Sequence, residues 1–219
     1  IGSFERGTIP MISHLPEMLP VCMGVALSRM RRGEPSAALG FCGDGASLGG
    51  VFHETLNLAA VWRAPLVVIV ERNRFAYMTP ERSYLPVPEL AARAAGYGIR
   101  SWSGDGNDVL EVRSLVGAAL EHARSGAGPA LVELFTYRMH GHGAHDDQRY
   151  VPPGDLAAWA LRDPLLRWHE IAVQQLGWTP EHQQALEQRV EREVAAGLED
   201  ALAAPYPDAD GLAASVFAE

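Results

Sequence analysis

Asp44 and Asn73 are the two side chains whose types and placement point to a site for a charged ligand. Asp44 sits within Gly43-Asp44-Gly45, directly after the apolar run Ala37 to Cys42, and small residues continue through Ala46, Ser47, Gly49 and Gly50. A glycine turn of this kind lets backbone approach a phosphate, and the free N–H groups of the helix that follows offer partial positive charge to an anion. Asn73 comes shortly after a second apolar run, Leu66 to Val70. In a right-handed strand–helix–strand unit the carboxyl ends of both strands lie side by side, so the two residues converge. A carboxylate, an amide oxygen and a free backbone carbonyl beside a phosphate suit magnesium, which takes oxygen ligands in octahedral geometry. The chemistry expected here is a magnesium-bridged diphosphate.

The elements that must position these groups are legible around them. Leu48, Phe52, Leu56, Ala59 and Trp62 recur at helical spacing and predict a helix with one apolar face, stopped by Pro65. Leu66 to Val70, continuous and mostly β-branched, reads as a parallel strand covered on both faces. Before the site, Ser13-His14-Leu15-Pro16 precedes an apolar helix over Leu19 to Met30, closed by Arg29, Arg31, Arg32 and Gly33. After it come a Pro-rich loop from Thr79-Pro80 to Pro88, a short helix over Glu89 to Tyr97, and a strand over Ile99 to Trp102.

A second glycine–aspartate–glycine triplet stands at Gly104-Asp105-Gly106. No long apolar strand precedes it, and Asn107-Asp108 looks like a helix cap leading into Val109 to Ala123, so it reads as a turn and cap. Pro129 to Thr136 predicts a strong strand that delivers Tyr137 to Asp147, a loop holding His140, His142, His145, Asp146 and Asp147. Alternate histidines on such a loop are weak evidence for zinc, and no cysteine or helical histidine pair supports it. From Asp155 onward the pattern is helical, with Asp163-Pro164 opening one helix and Thr179-Pro180-Glu181 capping another.

Composition narrows the function classes. The 219 residues suffice for one α/β domain with a full core and a helical appendage. A formal net charge of −9 without a basic block argues against nucleic acid and against an anionic membrane surface. No apolar run is long enough to span a bilayer, and the N-terminal residues do not form a signal peptide. Cys22 and Cys42, isolated within apolar stretches, read as buried reduced thiols of a cytoplasmic protein.

Taken together, GDGAS, FHETLNLAAVWRAPLVVIVERN, AYMTP, AARAAGYGI, GDGNDVLEV and PALVELFTYRMHGHGAHDDQRY resemble, in order, the alpha subunit of the thiamin-diphosphate-dependent first component of 2-oxo-acid dehydrogenase complexes. That group spans the pyruvate, branched-chain 2-oxo-acid and acetoin dehydrogenases. The resemblance implies an α/β thiamin-diphosphate-binding fold: a mostly parallel sheet flanked by helices over residues 1–154, and C-terminal helices with a tail over 155–219 that pack on the domain or on partner subunits. Family alpha subunits carry a substantial segment before the point where this sequence begins, which reads as a fragment, a processed product or one half of a split subunit.

The resemblance also assigns residues. Asp44 and Asn73 fall on the magnesium ligands, with Phe75 at the position that offers its backbone carbonyl; Gly43, Gly45 and Ala46 face the diphosphate. Ser13 and Leu15 sit where backbone groups contact the aminopyrimidine, or else form an ordinary loop before a core helix. His142 matches the histidine that contacts the diphosphate near the reacting centre, where it can shuttle protons. Arg138, His140, His145 and Asp146 are secondary candidates that order the loop or touch a partner. Arg72 is unlike the relatives; it either reaches a phosphate or stays an exposed loop arginine without specific contacts. Glu54 reads as a polar-face carboxylate, and Gly143 replaces a phosphorylatable serine of mitochondrial relatives.

The implied cofactors are thiamin diphosphate and Mg. The implied partners are a beta-type subunit, in an alpha2beta2 arrangement, and a lipoyl-bearing acyltransferase; the substrate is a small 2-oxo acid or acetoin. No residue matches the glutamate that the family's beta subunit uses to activate the cofactor, so the chain is expected to be inactive alone. The alternatives are a non-catalytic scaffold subunit, a carboligase subunit, and a nucleotide-binding module. Gly43, Gly45 and Gly49 do not fit the spacing of the last, and it leaves Asn73 unexplained.

Overall fold

A computed structural model describes residues 2, 3 and 5–211; the first residue and the end of the expected tail, 212–219, lie outside the described residues. It divides into two compact units, Ile1–Trp168 and His169–Glu219.

The first unit opens with helix α1 (Met18–Arg31), which buries Leu19, Met23, Ala26 and Leu27 and ends before Gly33 at φ 72°. Strand β1 (Ala38–Gly43) follows, then a 3-10 turn (Ala46–Leu48) and helix α2 (Gly50–Trp62). Phe52, Leu56 and Ala59 of α2 are fully buried, whereas Leu48 and Trp62 are 40% and 48% exposed. The expected apolar face is therefore shorter: Leu48 precedes the helix, and Trp62 is its last residue before Arg63 caps it in the left-handed region. Strand β2 (Leu66–Arg72) runs two residues past the expected end. A small hairpin, β3 (Phe75–Ala76) and β4 (Thr79–Pro80), interrupts the Pro-rich loop, and a 3-10 helix spans Leu90–Tyr97.

Strand β5 (Arg100–Asp105), helix α3 (Val109–Arg124) and strand β6 (Ala130–Phe135) complete a four-stranded parallel sheet in the order β1-β2-β6-β5. The strand expected over Ile99 to Trp102 runs from Arg100 to Asp105 and so reaches into the second glycine–aspartate–glycine triplet. That strand is only partly buried, in keeping with a sequence that lacks an apolar run. Asp108 caps α3 as expected, accepting from the N–H groups of Leu110 and Glu111. Alternate residues of the sheet feed two cores. Leu66, Val68, Val70 and Leu131 pack with residues of α1, α2 and the Leu90–Tyr97 helix, while Val67, Ile69, Val132 and Leu134 pack against Ala119 and Ala123 of α3. The parallel arrangement gathers Asp44, Asn73, Asp105 and Thr136 at one edge, the carboxyl ends of the strands.

Helix α4 (Asp155–Ala160) belongs to this first unit although the helical pattern begins with it. The Tyr137 hydroxyl donates to Asp155 at 3.0 Å, Trp159 stacks on Tyr137 at 5.2 Å, and Arg162 and Arg167 bind Asp105. Helix α5 (Pro164–Leu176) follows. In the second unit, helix α6 (Pro180–Ala203) starts with a capping box in which the Thr179 hydroxyl accepts from the His182 N–H and the Thr179 N–H donates to His182 Nδ1. Among the described residues, no helix is long and apolar enough to cross a membrane.

Candidate functional site

Asp44 leaves the end of β1 and turns inward, with only 1% of its surface exposed. The Ser47 hydroxyl closes the turn by donating to the Asp44 carbonyl at 2.6 Å. Three neutral donors hold the carboxylate: the Gly45 N–H reaches Oδ1 at 3.0 Å, and the Arg74 N–H and Tyr84 hydroxyl reach Oδ2 at 3.0 and 2.9 Å. Burial raises the pKa of Asp44, against the lowering pull of these hydrogen bonds. An ionised carboxylate so deeply placed calls for a nearby cation.

Gly43 and Gly45 play different parts from the tight turn the sequence suggests. Gly45 has ordinary right-handed backbone, φ −61° and ψ −41°. Its constraint is contact: a Cβ there would lie 2.5 Å from the Ala76 Cβ. The Gly45 N–H is also occupied by Asp44, which leaves Ala46 and the first turn of α2 as the expected anion donors. At Gly43 a Cβ would meet only Asn73 Nδ2, at 3.9 Å.

Asn73, Arg74 and Phe75 run past Asp44 from the end of β2. Asn73 Oδ1 accepts from the Phe75 N–H at 3.0 Å and keeps a second lone pair. Arg74 adopts φ 73°, an uncommon conformation for a side-chain-bearing residue, while its N–H bonds Asp44. Phe75 is opposite Pro80 in the hairpin, and the neighbouring Arg74 carbonyl takes the next bond, from the Glu81 N–H. With Arg74 and Glu81 as the hydrogen-bonded pair, Phe75 and Pro80 form the alternate, non-hydrogen-bonded pair, so the Phe75 carbonyl has no partner from that strand. Asp44, Asn73 and Phe75 are thus brought together, with a carboxylate, an amide oxygen and a backbone carbonyl.

His142 stands on the loop after β6 and meets the hairpin tip, not Asp44 or Asn73. Its exposed ring packs edge-on against Tyr77, with centroids 4.5 Å apart, and Tyr77 also touches His145 Nε2 through its hydroxyl at 3.4 Å. The loop is ordered from within. Asp146 accepts from the His142 N–H at 2.8 Å, the Tyr150 hydroxyl at 2.7 Å and the Gln148 N–H at 2.9 Å. The Tyr150 bond first, then the His142 N–H, holds its carboxyl at about 2. Arg138 donates to the Tyr77 carbonyl at 2.7 Å and lies over the Phe75 ring at 5.3 Å, so it ties the histidine loop to the hairpin. The carbonyl of His140 accepts from Arg138. Among the described residues, no three His, Cys, Asp or Glu side chains are grouped to hold a metal.

Ser13 and Leu15 are both exposed, and the following Pro16 is buried. A Cβ on Gly49 would lie 3.2 Å from Pro16 Cδ, so this segment abuts the turn into α2. Glu54 is exposed on α2.

Arg72 overturns both expectations for it. It is 8% exposed, within β2, and bonds Glu133 at 2.9 Å, Glu81 at 2.9 Å and the Pro88 carbonyl at 2.6 Å. The strand continues past the apolar run, which puts Arg72 beside a fully buried carboxylate from β6. Glu133, interrupting the apolar strand Ala130–Phe135, was the available signal of a buried cation. The Tyr84 contact with Asp44 had no such signal, because it depends on how the loop after the hairpin folds back.

The family model described as dehydrogenase E1 component matches residues 6–210. The alpha subunit of acetoin:2,6-dichlorophenolindophenol oxidoreductase from Cupriavidus necator is 36% identical over 221 residues, covering 99% of this chain and 66% of that protein. The 3-methyl-2-oxobutanoate dehydrogenase subunit alpha of Mycobacterium tuberculosis is 36% identical over 199 residues, covering 90% and 54%. The pyruvate dehydrogenase E1 component subunit alpha of Porphyra purpurea is 30% identical over 212 residues, covering 94% and 62%. The chain therefore spans between about half and two thirds of the length of these relatives. With the family model matched along nearly all of its length, the chain belongs to the dehydrogenase E1 component family.

Proposed function

We propose that this chain is the alpha-type part of a thiamin-diphosphate-dependent 2-oxo-acid or acetoin dehydrogenase, acting with a beta-type subunit and passing an acyl group to a lipoyl carrier. The observation that carries this reading is Asp44: a carboxylate 1% exposed whose hydrogen-bond partners among the described residues are all neutral. A divalent cation would supply the missing countercharge, and Asn73 Oδ1 and the Phe75 carbonyl would add the oxygen ligands magnesium prefers.

When bound, thiamin diphosphate supplies a cationic thiazolium that accepts the electron pair released on decarboxylation or carbon–carbon cleavage. The chain's own residues hold and orient it. Asp44, Asn73 and Phe75 would hold the metal, and Ala46 with the first turn of α2 would offer N–H groups to phosphate. Ser13 and Leu15, both exposed, would offer backbone groups to the aminopyrimidine. His142, held by Tyr77 and Asp146, would give or take a proton at its imidazole nitrogen. The residue that activates the pyrimidine comes from the beta-type subunit in an alpha2beta2 assembly, so the chain alone is inactive. The free thiols Cys22 and Cys42 accord with a cytoplasmic setting.

Calorimetric titration of thiamin diphosphate tests this reading, with and without magnesium, on the chain alone and with its beta-type partner. Affinity that needs both magnesium and the partner, and that Asp44→Ala abolishes without unfolding the protein, is the expected result. Magnesium-dependent affinity that survives Asp44→Ala overturns it.

A further inference from the structure

The Asp44 carboxylate has about four lone-pair positions, two on each oxygen. Three donors use three of them: one on Oδ1, from Gly45, and two on Oδ2, from Arg74 and Tyr84. One position remains, and it is on Oδ1. We infer that Tyr84 is a positioning residue that selects the metal, because by filling Oδ2 it confines Asp44 to a monodentate bond through Oδ1. This rests on the reading of Asp44 as the metal ligand.

Tyr84 is built to hold that aim. Its ring is half-buried and packs on the core formed with α1 and α2. Its backbone N–H donates to the Glu81 carbonyl at 3.1 Å, and Glu81 is itself gripped by Arg72, which is anchored to the fully buried Glu133. The hydroxyl therefore reaches Asp44 from a turn tied to the sheet, not from a free loop.

The consequence lies in the choice between magnesium and calcium. Magnesium demands near-ideal octahedral geometry at short range, which a monodentate carboxylate suits. Calcium takes more oxygens at longer range and readily accepts a bidentate carboxylate. With Oδ2 occupied, the bidentate mode is closed; the Arg74 N–H alone leaves one Oδ2 lone pair open.

The test uses Tyr84→Phe, which keeps the ring and removes the hydroxyl, in the assembled enzyme. Thiamin diphosphate affinity is titrated with magnesium and separately with calcium as the supporting metal. The calcium-to-magnesium affinity ratio is expected to rise on the order of tenfold over wild type. A general loosening of the fold lowers both affinities together and leaves the ratio unchanged; that result overturns the inference. Asp44→Ala separates the two levels. Metal-dependent affinity that persists in Asp44→Ala defeats the magnesium reading itself, whereas its loss together with an unchanged ratio in Tyr84→Phe defeats only the role of Tyr84.

Discussion

Arg72 Nη1 lies 2.9 Å from Glu133 Oε1 across adjacent parallel strands, and Glu133 has no exposed surface. The second Glu133 oxygen accepts from the Ala91 N–H at 2.7 Å, so the pair also fixes the start of the Leu90–Tyr97 helix. Removing the cation leaves a buried charge with one neutral donor. Arg72→Met should lower unfolding free energy by about 3–5 kcal/mol, and Arg72→Met with Glu133→Leu should recover roughly half of it. Urea midpoints of the two variants decide this; equal midpoints for the single and double variants would show that the buried charge is not the cause.

Gly45 and Gly43 should respond differently to alanine. At Gly45 the new methyl would lie 2.5 Å from the Ala76 Cβ and 3.0 Å from its Cα, so the hairpin must move. Gly45→Ala is expected to cost about 1–3 kcal/mol and to weaken magnesium-dependent binding of thiamin diphosphate. Gly43→Ala, with its nearest contact at 3.9 Å, should leave stability close to wild type. Thermal unfolding and titration of both variants provide the comparison.

The histidine loop should show an acid limit set by Asp146. Its folded-state pKa of about 2 lies below the ordinary aspartate range, so folding favours the ionised form. That contribution is complete above the ordinary range and is lost as the pH falls through it toward about 2. Proteolytic cutting within residues 140–150 should accelerate over this acid window. Asp146→Asn, which removes the charge, should make cutting rapid already at neutral pH.

His142 and Tyr77 should separate turnover from cofactor affinity. If the imidazole moves a proton, His142→Ala lowers turnover of the assembled enzyme by about 10²–10⁴-fold, with a much smaller change in thiamin diphosphate affinity. Tyr77→Ala leaves the imidazole chemically intact but removes the ring contact at 4.5 Å, so turnover should fall by less. Single-turnover kinetics beside binding isotherms would distinguish these outcomes; an equal loss of affinity and turnover in His142→Ala would assign it to binding alone.

The two glycine–aspartate–glycine triplets show where sequence reading reaches its limit. Both close parallel strands at the carboxyl end of the sheet, on its two opposite outer strands. Asp105 is already matched by Arg162 and Arg167, at 2.9 and 2.7 Å, and Gly104 and Gly106 are packed against α3 and β6. Asp44 has only neutral donors. Separating the triplets by their flanking sequence led to the buried carboxylate: a strand precedes each, but only the first is an apolar run. The difference that matters is the charge around the carboxylate, and the arginines responsible lie some sixty positions downstream of Asp105.

Local chemistry alone determined the strand–helix–strand unit, the helix before it, the Asp108 cap and the placing of Asp44 and Asn73 at the carboxyl ends of neighbouring strands, because apolar periodicity and turn residues act over short stretches of chain. What closes Asp44's lone pairs, buries Arg72 and seats His142 against Tyr77 was decided only by tertiary structure. Those contacts join residues from separate loops and strands, and neither spacing nor residue type encodes which polar groups meet when the loops fold back over the carboxyl edge of the sheet.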